Sequence, residues 1–375
     1  MAGGGIRRIS AASARAHTRK HKKSAFSSLI PSPGLIKKFL LVSSIGLLAW
    51  AYQACQPPPS KLCGSSDGPQ VTAARIKLRD GRHLAYKESG ISKEKAKYKI
   101  VFIHGFDSCR YDSFPIQMGL DEELGIYMVA IDRPGYGESD PDPKRTEKSL
   151  ALDIEDFADK LKLGATFYVI GHSMGGQIVW GCLKYIPHRL AGATLLAPVI
   201  NYWWPGFPTE LVKNCYEKQL VQDQWALRVA HHLPWLTYWW NSQTWFPRSS
   251  VIAGHPACFS PADMEIVPKL SGRERYAAQI RQQGEYESLH RDMIVGFGKW
   301  EFDPMDITNP FLKRKEISVH IWQGDDDRLV NVHLQHYIAQ KLPWIQYHEL
   351  PGAGHIFPLA DVMFNTILKT QLLGN

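Results

Sequence analysis

The sequence predicts an α/β protein: a mostly parallel sheet covered by helices on both faces, carrying a helical insertion and preceded by an apolar helix. Three observations carry that expectation. Short apolar runs at residues 100–103, 127–131, 167–170, 193–196 and 317–322 have the look of buried strands. Between them lie stretches, notably 148–163 and 177–185, whose apolar residues recur every three or four positions. A serine flanked by glycines stands at the exit of one of these runs. With 375 residues, 44% of them hydrophobic, the chain suits one large domain with an insertion.

The N-terminal end reads differently. Residues 1–38 hold nine of the 44 Lys and Arg and no acid, so the net charge of +8 belongs to a tail. The remainder has 35 basic against 36 acidic residues, which argues against a nucleic-acid partner. Residues 1–34 are expected to be a basic, disordered tail. From 35 to 54 follows an apolar segment, uncharged from Phe39 onward, with lysines before it and Trp50 and Tyr52 near its end. Its length is about the minimum for a membrane span. The flanking charge places the N-terminus in the cytosol and the larger part of the chain across the membrane. The alternative is a cleaved targeting segment, since residues 1–30 are rich in Ala, Ser, Arg and Lys as transit peptides are. Residues 55–70 read as a Pro/Ser/Gly linker. Six cysteines show neither a CxxC pair nor metal-ligand spacing.

From Val71 the pattern becomes regular. Residues 75–79 and 83–86 alternate around Asp80-Gly81 as a hairpin would, and the strand–helix alternation follows. A parallel sheet places its chemistry on the loops leaving the C-terminal strand ends. There the strongest signal is Gly171-His172-Ser173-Met174-Gly175-Gly176, between a predicted strand and a predicted helix. The GxSxG spacing in that context is a nucleophile elbow, whose tight turn leaves no room for side chains at the two flanking glycines. A serine nucleophile needs oxyanion donors, and the turn His104-Gly105-Phe106 supplies one. The backbone N–H groups of Phe106 and Met174 are the expected pair, with His104 orienting the loop. The base is His355, on a glycine-bearing loop after residues 344–350. His333, His336, His231 and His232 are weaker candidates, on predicted helices or in a Trp-rich stretch. The acid falls in Asp325-Asp326-Asp327 after the last long apolar run. Asp327 is expected over the sheet edge, with Asp325 capping the turn; failing both, the acid is sought at Asp263, Asp303 or Asp306.

Taken together these residues resemble the α/β-hydrolase superfamily over residues 71–375. Asp132-Arg133-Pro134-Gly135-Tyr136-Gly137-Glu138-Ser139 looks like the family's D-x-x-G-x-G-x-S loop, Gly324-x-x-Asp327 like its acid motif, and Gly352-Ala353-Gly354-His355 like its histidine motif. The basic N-terminal anchor is similar to that of predicted membrane-anchored hydrolases of plants. The resemblance implies a core at 71–200 and 317–375, a cap at 201–316, and no metal or organic cofactor. Epoxide hydrolases and dehalogenases of the family carry Asp at the elbow, so Ser173 points away from both. The family also includes small-molecule receptors and acyltransferases. Eight of the twelve tryptophans fall within 201–316. They suggest a hydrophobic, lipid-derived ester as substrate, a lid packing on itself, or rings resting on a membrane interface. The expected protein is therefore a membrane-anchored serine esterase; protein partners are not indicated.

Overall fold

The computed structural model describes residues 1, 3, 33–114, 116–269, 272–360 and 362–374, so the expected basic tail falls mostly outside the described residues. The N-terminal unit, residues 1–54, holds all but the last residue of the helix Pro33–Cys55, 23 residues long. At about 1.5 Å per residue it reaches roughly 34 Å, enough by length and composition to cross a membrane, as a signal sequence also is. It ends where Pro57-Pro58-Pro59 withdraw three backbone donors in succession.

The larger unit is built on one sheet. Its strands are β1 (Ala74–Lys77), β2 (His83–Gly90), β3 (Tyr98–Ile103), β4 (Ile126–Ile131), β5 (Phe167–His172), β6 (Leu190–Leu196), β7 (Val319–Gly324) and β8 (Gln346–Leu350). They lie in the order β1-β2-β4-β3-β5-β6-β7-β8. The hairpin β1–β2 is antiparallel and β2 runs antiparallel to β4; every other pairing is parallel. Strand alternation divides the core in two. Along β3, Val101 and Ile103 enter one apolar cluster with the helices Glu147–Lys160 and Met174–Tyr185, while Ile100 and Phe102 enter another with the C-terminal helix Met363–Leu373. Both faces are therefore covered, which is why the strands read as unbroken apolar runs.

Between β6 and β7 the chain leaves the sheet and forms short helices, among them Thr209–Tyr216, Val221–His232, Thr237–Ser242, Pro261–Ile266 and Arg291–Gly296. Some of its tryptophans make its own packing: Trp204 is buried and meets Trp300 edge to face at 5.0 Å.

Candidate active site

The turn from β5 into the helix Met174–Tyr185 is fixed by what glycine lacks. A Cβ at Gly171 would meet the Gly175 carbonyl oxygen at 2.4 Å, and one at Gly175 would meet the Ile103 carbonyl oxygen at 2.2 Å. The helix can start that close to β3 and β5 only with glycine at both positions. Ser173 between them takes φ 55° and ψ −119°, in the region L-residues avoid. The strain is held by neighbours: Ser173 N–H donates to the Leu196 carbonyl at the end of β6, and its own carbonyl accepts from Gly176 and Val199.

Two loops bring partners to that hydroxyl. After β7, Asp325 and Asp326 are exposed and Asp327 is buried. Asp325 accepts the Gly352 N–H at 2.6 Å and so ties the β7 turn to the loop after β8. Asp327 turns inward, where its Oδ1 accepts the N–H groups of Leu329 and Val330 and its Oδ2 accepts from Gln323. His355, on the loop after β8, places Nδ1 2.8 Å from Asp327 Oδ2 and Nε2 2.9 Å from Ser173 Oγ. A carboxylate only accepts, so the proton belongs on Nδ1 and Nε2 is left to accept from the serine. Burial lowers the His355 pKa, but the Asp327 charge and hydrogen bond, with Asp263 adding its charge, lift it above the usual imidazole value. Of the other histidine candidates, His231 bonds the Phe297 carbonyl and stacks on Trp203, His336 bonds Glu349, and His232 and His333 are exposed.

The turn after β3 packs directly on the elbow, since a Cβ at Gly105 would come within 2.9 Å of the Ser173 Cβ. Its central peptide is clamped. The Gly105 carbonyl accepts from Arg133 Nη2 at 2.7 Å and from His104 Nδ1 at 2.8 Å. His104 Nε2 accepts the Arg133 N–H, which leaves its proton on Nδ1, and burial beside Arg133 keeps its pKa far below the usual imidazole value. In a trans peptide the N–H points opposite to the carbonyl, so the Phe106 N–H faces away from this clamp. The Asp132–Ser139 loop supports it. Asp132 is buried against Arg110, and a Cβ at Gly137 would strike the Asp132 carboxylate at 2.0 Å.

Two supporting residues, Asp292 and His172, escaped the sequence reading, and a third, Asp263, entered it only as a spare acid. Asp292, from the inserted region, binds Arg133 through both oxygens at 2.8 and 2.6 Å and also takes hydrogen bonds from Arg145 and Tyr136. Asp263, also inserted, accepts the backbone N–H of His355 at 3.0 Å and of Ile356 at 2.8 Å. The same carboxylate closes a capping box with Ser260 at the helix Pro261–Ile266. Gly354 must be glycine here, because a Cβ would lie 2.3 Å from the Asp263 carboxyl carbon. His172, beside the nucleophile, meets the His355 carbonyl through Nε2 at 3.2 Å; burial and the nearby His355 push its pKa down to about 3, so it stays neutral. His172 lies inside GxSxG, at a position the pattern leaves free, and nothing local marks Asp292.

A mostly parallel sheet that offers a strained serine beside a buried histidine at the C-terminal ends of its strands has the layout of an alpha/beta hydrolase fold. The chain belongs to the alpha/beta hydrolase family, whose profile matches residues 100–363. Among curated proteins it is similar to pig bifunctional epoxide hydrolase 2, 29% identical over 40% of this chain. It is also similar to the probable lysophospholipase BODYGUARD 2 of Arabidopsis thaliana, 24% identical over 70% of this chain. Those alignments span 26% and 55% of the two relatives' own lengths. Among solved structures, the enol-lactonase from Burkholderia xenovorans LB400 superposes with a TM-score of 0.54 at 16% identity, covering 80% of this chain and all of that one. That likeness is one of fold.

Proposed function

We propose that the chain is a serine hydrolase of carboxylic esters with a hydrophobic, lipid-derived acyl or alcohol group, held at a membrane by the helix Pro33–Cys55. The observation that carries the reading is the continuous line from the strained Ser173 Oγ through His355 to buried Asp327, each step within hydrogen-bond distance. In this reading His355 Nε2 takes the hydroxyl proton as Ser173 Oγ attacks the ester carbon. Asp327 fixes the tautomer and offsets the imidazolium charge. The N–H groups of Phe106 and Met174 hold the oxyanion, with Arg133 and His104 fixing the first of them. When the tetrahedral intermediate collapses, His355 returns the proton to the departing alcohol and an acyl-Ser173 ester remains. Water, deprotonated by the same imidazole, releases the acid.

Support for a lipid-derived substrate comes from the lysophospholipase relative and from the aromatic insertion, which we read as a cap over residues 201–316. Serine at the elbow sets the chain apart from epoxide-opening members of the family. The test is labelling of the membrane-bound protein with a fluorophosphonate, competed by a panel of ester lipids. Ser173→Ala is expected to abolish labelling without unfolding the protein. Stoichiometric labelling in that variant would overturn the assignment, and a single turnover per molecule would favour a receptor.

A further inference from the structure

The inserted region carries an apolar surface that the proposed chemistry does not use. Trp225 is 50% exposed, Trp235 53%, Phe246 52% and Trp245 78%. Trp225, Trp245 and Phe246 belong to one connected group of rings. Trp225 lies 6.1 Å from Trp240, Trp240 stacks on Phe246 at 5.6 Å, and Trp239 meets Trp240 at 6.5 Å and Trp245 at 6.1 Å. The turn that presents them is built from within. Gln243 accepts the N–H groups of Trp245 and Phe246 through its side-chain oxygen and donates to the Trp240 and Phe246 carbonyls through its nitrogen. Rings held outward by four hydrogen bonds are not a frayed loop. A contiguous exposed aromatic patch of this kind marks a contact surface.

Charge selects what it contacts. Across residues 221–264 the only acids are Asp223 and Asp263, and both are buried. Asp223 accepts from Ser249 and Ser250, and Asp263 holds the His355 loop. The segment that carries the rings, residues 225–246, contains no Asp or Glu, whereas Arg228 and Arg248 are exposed and Arg228 lies 5.6 Å over the Trp225 ring. Tryptophan bordered by arginine, without acid, suits the boundary between anionic headgroups and acyl chains. The same chain also carries the apolar helix Pro33–Cys55.

We propose that the aromatic edge formed by Trp225, Trp239, Trp240, Trp245 and Phe246 docks on the headgroup layer of an anionic phospholipid bilayer. Docking does not rest on the ester chemistry, so the two proposals fail separately.

The test uses the full-length protein in phosphatidylcholine–phosphatidylserine vesicles whose acyl chains carry bromine, which quenches tryptophan on contact. Trp225→Gln/Trp245→Gln is compared with the unaltered chain, so that Trp50 and the buried rings contribute equally to both. The fluorescence lost on substitution is expected to be the quenched fraction, and its quenching should weaken in pure phosphatidylcholine. The variant should keep its melting temperature and its rate on a soluble short-chain ester, while its rate on a bilayer-borne ester falls by about tenfold. If the fluorescence lost on substitution proves unquenched, the patch does not touch the bilayer. A detergent-solubilised dimer that the same substitutions dissociate would overturn the proposal in favour of a second copy of the chain.

Discussion

The two sides of the site differ in how far along the chain their supports lie. On the elbow side, Ser173 is held in its turn by glycines two residues away. On the opposite side, the His355 loop hangs from Asp263, 92 residues earlier, and the Gly105 peptide from Arg133, which Asp292 grips across 159 residues. Near supports act through steric exclusion that the covalent chain enforces. Distant supports act through hydrogen bonds to buried carboxylates and exist only once the insertion has folded onto the sheet. Damage to the first should abolish chemistry; damage to the second should detune it.

The comparison can be pressed from the largest effect downward. Below the complete loss expected for Ser173→Ala stands Asp327→Asn, which leaves the imidazole free to take the wrong tautomer. Single-turnover acylation should fall about 10⁴-fold, the size of the corresponding change in a serine protease. A near-normal rate there would mean that another group orients His355. Asp263→Asn is expected to cost about 10- to 100-fold, since its amide cannot accept both backbone N–H groups and leaves one without its partner. Its pH profile sharpens the contrast. In the proposed reaction His355 must start neutral, so the rate is expected to rise with pH through the raised pKa of that group, and Asp263 contributes to the raising. Removing the charge should move the acid limb to lower pH; a support acting through packing alone would lower the rate and leave the limb in place. Asp325→Asn should change acylation by less than about threefold, because that carboxyl only ties one turn to the next at the surface. A large kinetic loss there would put the distinction between buried and exposed aspartates in this loop at fault.

Legibility in the sequence followed the same divide. The run at residues 100–103 announced β3 and 167–170 announced β5, each within two residues of the observed end, because strands buried on both faces must be apolar at every position. Gly171 and Gly175 announced the turn, since steric exclusion leaves a spacing that can be read. Asp327 was favoured over Asp325 and Asp326 by its distance from the strand end, with Asp325 left open, and it is the one whose Oδ2 lies 2.8 Å from His355 Nδ1. Asp263 was legible only as a spare acid, and Asp292 not at all. Nothing local distinguishes a carboxylate that will accept amides from a loop 92 residues later from one that merely caps its own helix, and Asp263 does both. His172 was masked by its neighbour, because the elbow pattern is satisfied by any residue at that position.

The insertion cannot be treated as an interchangeable part. Its helices Pro261–Ile266 and Arg291–Gly296 carry or adjoin the carboxylates that steady the histidine loop and the peptide beside the serine. Transplanting the insertion of another family member to alter substrate choice would also withdraw two anchors from the sheet beneath it. A successful graft must bring an acid in register with the His355 amide and another with Arg133, and must leave Gly354 untouched. For the proposed hydrolase, engineering of specificity and preservation of turnover are thus a single problem.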